Sequence, residues 1–544
     1  MSENSPSTDV ARKEGRRDAP AVSLVLQSTE TCKCYIILIL NIPSMIMGRV
    51  AFIPSQTLDE AAAISDRSAL HSPFRLFLID VQILLQNLKY LPNTILPFRE
   101  LPPLPGVQDE QPGSWLDTVS TIVLALLEWF LLLITIPAIL FLRGWITIVC
   151  GAAVCTLVYL IQQRMWGPLI VESRVDLSGY KQHPTEKWFF INGIGTSRTL
   201  VQHTCNRLAA TFKRPITGVH NRSYGIVGDI LECLIQRCLN YNTTDVRVAY
   251  ERLKQHILNP NIEKVVVLAH SQGGIVISLA LNRMYAELPS RAISKLEIYT
   301  FGSAAAHFNN PLCSPAASGT LSPSRRDLVP LLSQPTTVIQ TIEHYCNELD
   351  FVPRWGVLYN TRHCPGHRYA GRVFMYKGAS GHLFNEHYLN AMFPLSSARA
   401  TLTIQEEADD ATPTMPAMNK FLDQMVDVDT TTAQRRARSL SVGGKDVIVS
   451  RAPSRYGRRM SVQDDSQNAI CEGSGRTVRQ LSRLWMYVGG GGDDGAEEAP
   501  SGWVFGGRVV FGTTDGVRVV RLGVGWGGVG GAPIYRGSLY QALH

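Results

Sequence analysis

The chain is poor in charge. Of its 544 residues only 18% are Asp, Glu, Lys or Arg, against roughly 25% in an average soluble domain, so a membrane segment or a low-complexity region must dilute it. Paired metal-binding cysteines are also missing. The 11 cysteines form no C-x-x-C pair, which excludes the common zinc frameworks, and their scatter suits a reducing compartment better than a disulfide scaffold. No secretory signal is expected, because the first 22 residues are polar and Arg12, Lys13, Arg16 and Arg17 have no apolar run behind them. The apolar patch Tyr35 to Met47 is interrupted by Asn41 and Pro43 and is too short to span a bilayer.

The missing charge is explained first by residues 119–161, 43 positions with only Glu128 and Arg143 ionised. Two apolar helices are predicted, Val119 to Leu142 and Trp145 to Ile161, broken at Arg143-Gly144. At ~1.5 Å per residue they reach about 36 Å and about 26 Å. The expectation is a membrane hairpin over 117–163, with Trp145 and Trp166 at interfacial positions. Basic residues on both flanks place the rest of the chain in the cytosol, on endoplasmic reticulum or a lipid droplet among the candidate membranes. A helical pair buried in a soluble core, or a hairpin dipping into one leaflet with Arg143 at its tip, meets the same pattern.

Around the hairpin the chain divides by composition. Residues 1–70 read as a mostly disordered N-terminal segment and 71–116 as an amphipathic linker. Residues 164–395 read as an α/β domain with an insertion at 313–335, and 396–544 as a tail, basic and then Gly-rich, expected to be disordered. Within the domain short apolar runs alternate with amphipathic stretches, the pattern of a mostly parallel sheet. The runs are Trp188–Ile191, Ile216–Val219, Lys264–Leu268, Leu296–Phe301, Val338–Ile342 and Arg372–Tyr376. The net charge of +7 is matched by residues 430–462 alone, with eight basic residues and one acidic. The charge therefore marks a basic tail, and no nucleic-acid partner is expected.

The chemistry is read from Lys264-Val-Val-Val-Leu-Ala-His-Ser-Gln-Gly-Gly. A buried strand runs into Ala269-His270-Ser271-Gln272-Gly273 and then a helix, the setting of a nucleophile elbow, with Ala269 in place of the usual first glycine. A serine hydroxyl needs a base, and the base an orienting acid. Asp350, at the end of Glu343-His-Tyr-Cys-Asn-Glu-Leu-Asp350, is favoured for the acid, with Glu348 a rival. His382, on the loop after Arg372–Tyr376, is favoured for the base, with His387 as the alternative. Oxyanion donors are expected from the backbone of Gly193 or Ile194, after the strand Trp188–Ile191, and of Gln272. Gly193-Ile-Gly195 lacks the third glycine of a dinucleotide loop, since Arg198 stands there. His363 and His367 are separated by Pro and Gly, which break the helix that a metal-ligand pair would need. No metal or cofactor is expected. The sequon Asn221-Arg-Ser falls in a segment expected to be packed and is read as unused.

Three stretches carry a resemblance. Ala269-His-Ser-Gln-Gly-Gly resembles the serine elbow of the class 3 lipases and related serine esterases of fungi, Tyr299-Thr-Phe-Gly-Ser303 the strand and turn that follow it, and Asp350-Phe-Val-Pro-Arg354 their acid motif. The resemblance implies an α/β-hydrolase fold with Ser271 as nucleophile, Asp350 as acid and His382 as base. Together with the hairpin, this gives the expectation of a membrane-held esterase acting on acyl lipids. The alternatives are a non-catalytic membrane scaffold of the same fold and a biosynthetic esterase or thioesterase. The family accounts for neither the hairpin nor the tail.

Overall fold

The computed structural model describes residues 23–28, 34–39, 50–57, 71–97, 115–313, 336–364, 368–394, 419, 421–429, 475–492, 508–513 and 516–521. They fall into two compact units, residues 1–46 with 495–544 and residues 47–494. In the first unit Ser23–Ser28 pairs antiparallel with Cys34–Ile39, and Arg508–Thr513 with Gly516–Arg521. Part of the apolar patch at Tyr35 thus serves as a strand.

The second unit is built on one sheet of nine strands. In chain order these are β1 (Val50–Ile53), β2 (Ile170–Glu172), β3 (Glu186–Ile191), β4 (Ile216–Val219), β5 (Lys264–His270), β6 (Leu296–Phe301), β7 (Thr341–Asn347), β8 (Arg372–Tyr376) and β9 (Val426–Val428). Across the sheet the order is β9-β1-β8-β7-β6-β5-β3-β4-β2. The pairings from β8 to β4 are parallel, and those of β2 with β4 and β1 with β8 are antiparallel. The central strands are apolar on both faces because helices cover both. In β5 Val265, Val267 and Ala269 join one core, while Val266 and Leu268 join the other.

The helices among the described residues include α1 (Pro73–Asn87), α2 (Trp115–Phe141), α3 (Gly144–Met165), α4 (Arg198–Phe212), α5 (Ile226–Leu239), α6 (Thr244–Leu258), α7 (Gly273–Glu287), α8 (Phe351–Trp355) and α9 (Val357–His363). Helices α6 and α7 bury Tyr250, Leu253, Ile277 and Leu281 on one face of the sheet. Helix α4 buries Val201, Leu208 and Phe212 on the other. It starts at Ser197, whose hydroxyl accepts the Leu200 N–H at 3.3 Å, and stops at Lys213, left-handed at φ 54°. β4 and β5 flank β3 on opposite sides, so the winding direction reverses between β3 and β5. The carboxyl ends of strands at such a reversal leave a crevice open.

Three differences from the sequence reading stand out. The unit extends past the expected bounds of 164–395: β1 and β9 come from the expected N-terminal and tail segments and close one edge of the sheet. From the tail, Leu422, Val478, Leu484 and Tyr487 also enter the core. The run Val338–Ile342 joins the ladder only from Thr341, since Val338 and Ile339 donate to Pro311 O and Asn310 Oδ1. The second apolar helix is longer than expected, its candidate span running over Gly144–Gln163. Most of the insertion (314–335) and most of 396–544 lie outside the described residues.

Among the described residues two helices, Val119–Phe141 and Gly144–Gln163, are long and apolar enough to cross a membrane, with mean hydropathies of 2.5 and 2.1. Only 6% and 0% of their most apolar windows are buried.

Candidate active site

Ser271 sits between β5 and α7 at φ 57°, a left-handed conformation that costs a non-glycine residue about 1–3 kcal/mol. Its surroundings hold it there. The Ser271 N–H donates to Phe301 O at 3.0 Å, and Ser271 O accepts Ala304 N at 3.1 Å and Gly274 N at 3.0 Å. The small residues are required by contact: a methyl on Gly273 would lie 2.3 Å from Ile191 O, and one on Gly274 2.2 Å from Ser303 Oγ. Ala269, one step inside the strand, is fully buried in the core, where a methyl is filled space rather than a clash. That is why this elbow accepts alanine.

Asp350 caps α8 and is fully buried. Its Oδ1 accepts the Val352 N–H at 2.9 Å. Its Oδ2 meets His382 Nδ1 at 2.7 Å and accepts the Tyr388 hydroxyl at 2.7 Å. A carboxylate only accepts, so the His382 proton sits on Nδ1 and Nε2 is left as an acceptor. Nε2 is buried without a hydrogen-bond partner. Ser271 Oγ and His382 Nε2 thus share no hydrogen bond, and such contacts often tighten only around substrate. His382 lies against the neighbours of Ser271. The His382 ring packs on His270, the neighbour of Ser271, with centroids 4.5 Å apart, and a methyl on Gly302 would lie 2.9 Å from His382 Cε1.

The rival groups lie in other contacts. His387 Nδ1 accepts the Leu383 N–H at 3.0 Å, which leaves its proton on Nε2 to donate to Pro97 O at 2.7 Å. Both nitrogens therefore face backbone. Glu348 accepts the Gly378 N–H at 2.8 Å. His344 bridges Thr300 and Ala370 O in the core, and burial pushes its imidazole down to about 4. His363 ends α9, and 365–367 lie outside the described residues.

The expected oxyanion loop abuts the serine: a methyl on Gly193 would fall 2.5 Å from Ser271 Cβ. Asn192, Asn221 and Gln272 join this loop to the elbow, a set of amides that residue patterns did not reveal. Asn192 Nδ2 donates to Gly193 O and to Asn221 O, each at 2.9 Å, and its Oδ1 accepts the Asn221 N–H at 2.8 Å. Asn221 Nδ2 then donates to Gln272 Oε1 at 2.6 Å, and Gln272 Nε2 to Glu232 at 3.0 Å and Gln236 at 3.2 Å. The sequon asparagine is thus buried in a bonded network. Asp229 holds the next turn, accepting Gly195 N, Tyr224 N and the Ser223 hydroxyl at 2.7–2.9 Å.

Three further groups bear on the charge of the site. Burial raises Asp229 to about 6, and burial together with the neighbouring Asp245 carboxylate raises Glu232 to about 7. Burial, then the proximity of His382, holds His270 well below the usual imidazole range. His270 therefore stays neutral, and its Nε2 lies 2.8 Å from His382 O. Among the described residues no three His, Cys, Asp or Glu side chains converge as metal ligands would.

A serine in a strained turn, an imidazole bonded to a buried carboxylate and a neighbouring loop of backbone N–H groups are the kinds of group that acyl transfer uses. No curated protein matches the chain. Residues 229–308, from α5 through the Ser271 elbow to the loop after β6, match the family described as "Putative serine esterase (DUF676)", which supports a hydrolase of serine-esterase type without reaching the class 3 lipases of fungi specifically.

Proposed function

We propose that the chain is a membrane-associated serine hydrolase of α/β-hydrolase fold that cleaves carboxylic esters, with acyl lipids as its substrates. The observation that carries this reading is the 2.7 Å contact of His382 Nδ1 with the buried Asp350, beside a serine held at φ 57°. Ser271 Oγ attacks the ester carbonyl while His382 Nε2 takes its proton. The N–H groups of Gln272 and of Gly193 or Ile194 receive the oxyanion. Collapse expels the alcohol, protonated by His382, and water then releases the acyl group from Ser271 by the same steps. Asp350 holds the imidazole tautomer and stabilises the imidazolium. Arg164 at the end of α3, with Arg174 and Lys181 beyond it, supports a cytosol-facing domain, and the hairpin places the site beside acyl chains.

A fluorophosphonate probe tests the reading. Full-length protein should be labelled stoichiometrically and Ser271→Ala not at all. Absence of labelling in folded protein, or equal labelling of the variant, overturns it.

A further inference from the structure

The middle of α2 is tied to the domain at Glu128, although Ile122 and Leu126 upstream of it are 54% and 64% exposed. Upstream of it Leu124 is buried, and the Glu128 carboxylate accepts the Val227 N–H in the first turn of α5 at 3.0 Å. At the far end of α3, Gln162 donates to Tyr224 O and Trp166 to Ser223 O, each at 2.7 Å. From Trp129 onward α2 faces open space, and Ile136, Leu140 and Phe141 are 67–84% exposed. Beyond these ties α2 runs over 129–141, about 20 Å, and α3 over 144–161, about 27 Å, at ~1.5 Å per residue, against a hydrocarbon core of about 30 Å.

A second observation points to the same surface. Helix α1 is fastened to α5 by the buried Asp80–Arg237 pair at 2.9 Å, with Leu76 and Ile83 packed beneath. Its other side is apolar as well: Phe74 is 71% and Leu85 61% exposed. In the following turn, Leu88–Thr94, no residue is buried, and Leu91 and Ile95 are half exposed. The outer side of α5 adds Leu231. This apolar surface adjoins the candidate site, because Thr94 O accepts the His382 N–H at 2.9 Å and Tyr90 lies under the Arg354 guanidinium at 3.9 Å.

We propose that α2 and α3 enter a single leaflet without crossing the bilayer, and that α1, the Leu88–Thr94 turn and the outer side of α5 rest in the interface of that leaflet, presenting the Ser271 site to lipid. The inference rests on the membrane reading above. The occupant of the apolar surface is lipid, because α5 carries both this surface and the docking point of the hairpin. A crossing pair would sink Glu128, and with it the polar first turn of α5, into hydrocarbon, where unsatisfied backbone and buried carboxylates are disfavoured. A one-leaflet pair keeps Glu128 and that turn at the interface, at the cost of carrying Arg143 at its tip.

The test uses the full chain in phosphatidylcholine vesicles mixed with triolein droplets coated by a monolayer of the same lipid, with a diazirine-bearing phosphatidylcholine in both. A hairpin confined to one leaflet transfers to the droplets. We expect most of the protein in the droplet fraction and photolabel on peptides covering 74–96 as well as 129–160. Protein that floats with vesicles but never moves to droplets overturns the one-leaflet seat. Label restricted to 129–160 overturns the docking surface. Protein that floats with neither overturns the membrane reading itself, without bearing on fluorophosphonate labelling.

Discussion

Removing the Asp80 carboxylate should unfasten α1 from the domain, and the size of the effect follows from what Arg237 loses. The guanidinium is fully buried; it bonds Asp80 at 2.9 and 3.0 Å, donates to Ala304 O and to Trp355 O, and lies 4.1 Å above the Trp355 ring. Asp80→Ala leaves that cation without a counter-charge, which for buried pairs costs about 3–5 kcal/mol. With total stabilities of about 5–15 kcal/mol, this is a large fraction, and at ~2–4 °C per kcal/mol the melting temperature should fall by on the order of 10 °C. Thermal unfolding of the reconstituted full chain, followed by circular dichroism, reads it. The double variant Asp80→Leu, Arg237→Met, which removes both charges while keeping volume, should recover most of the loss. A fall below about 1 kcal/mol in Asp80→Ala, or a double variant as unstable as the single, refutes the argument that an orphaned charge is the cause.

Two other perturbations probe the site. Asn221→Ala deprives Gln272 Oε1 of its buried donor at 2.6 Å, a loss of about 1–3 kcal/mol. Because the two expected oxyanion donors are tied through Asn221, kcat for a short soluble ester should fall about 10- to 100-fold with KM little changed; an unchanged kcat contradicts the positioning role. Glu232 is raised to about 7 by burial and Asp245, so the folded state favours its protonated form. Its contribution to stability is present below its unfolded pKa and lost as pH rises through about 7. Melting temperatures of wild type and Glu232→Gln should therefore diverge between pH 5 and pH 8, in favour of the variant at the higher pH; parallel curves would show that Glu232 does not titrate in this range.

Where the chemistry forces a residue type, the sequence was readable. The tight turn at Ser271 was legible because strand, turn and helix leave marks on its neighbours: Gly273 has no room for a methyl. The burial of Asp350 was legible because Phe351-Val352-Pro353 follow it, and the carboxylate is fully buried. The split between His382 and His387 was not resolvable from pattern, since it depends on which imidazole meets Asp350 and which meets Pro97 O. β1 and β9 escaped because a four- or three-residue strand at a sheet edge carries little periodicity, and its partners are hundreds of positions away. The Leu88–Thr94 turn contributes a backbone carbonyl, which any residue supplies, so nothing in its composition marks its place over His382. Asn221 stood out only as a sequon, because amide networks have no fixed spacing.

The central claim is that Ser271 carries the acyl group. The most direct measurement is the mass of the Ser271-containing peptide after a brief acid quench of full-length protein turning over a p-nitrophenyl ester. The account predicts an added acyl mass on Ser271 in wild type, its accumulation when His382→Ala slows deacylation of a reactive ester, and its absence from Ser271→Ala together with turnover. Ester turnover that persists in Ser271→Ala, with no acyl adduct on the wild-type peptide, would contradict it.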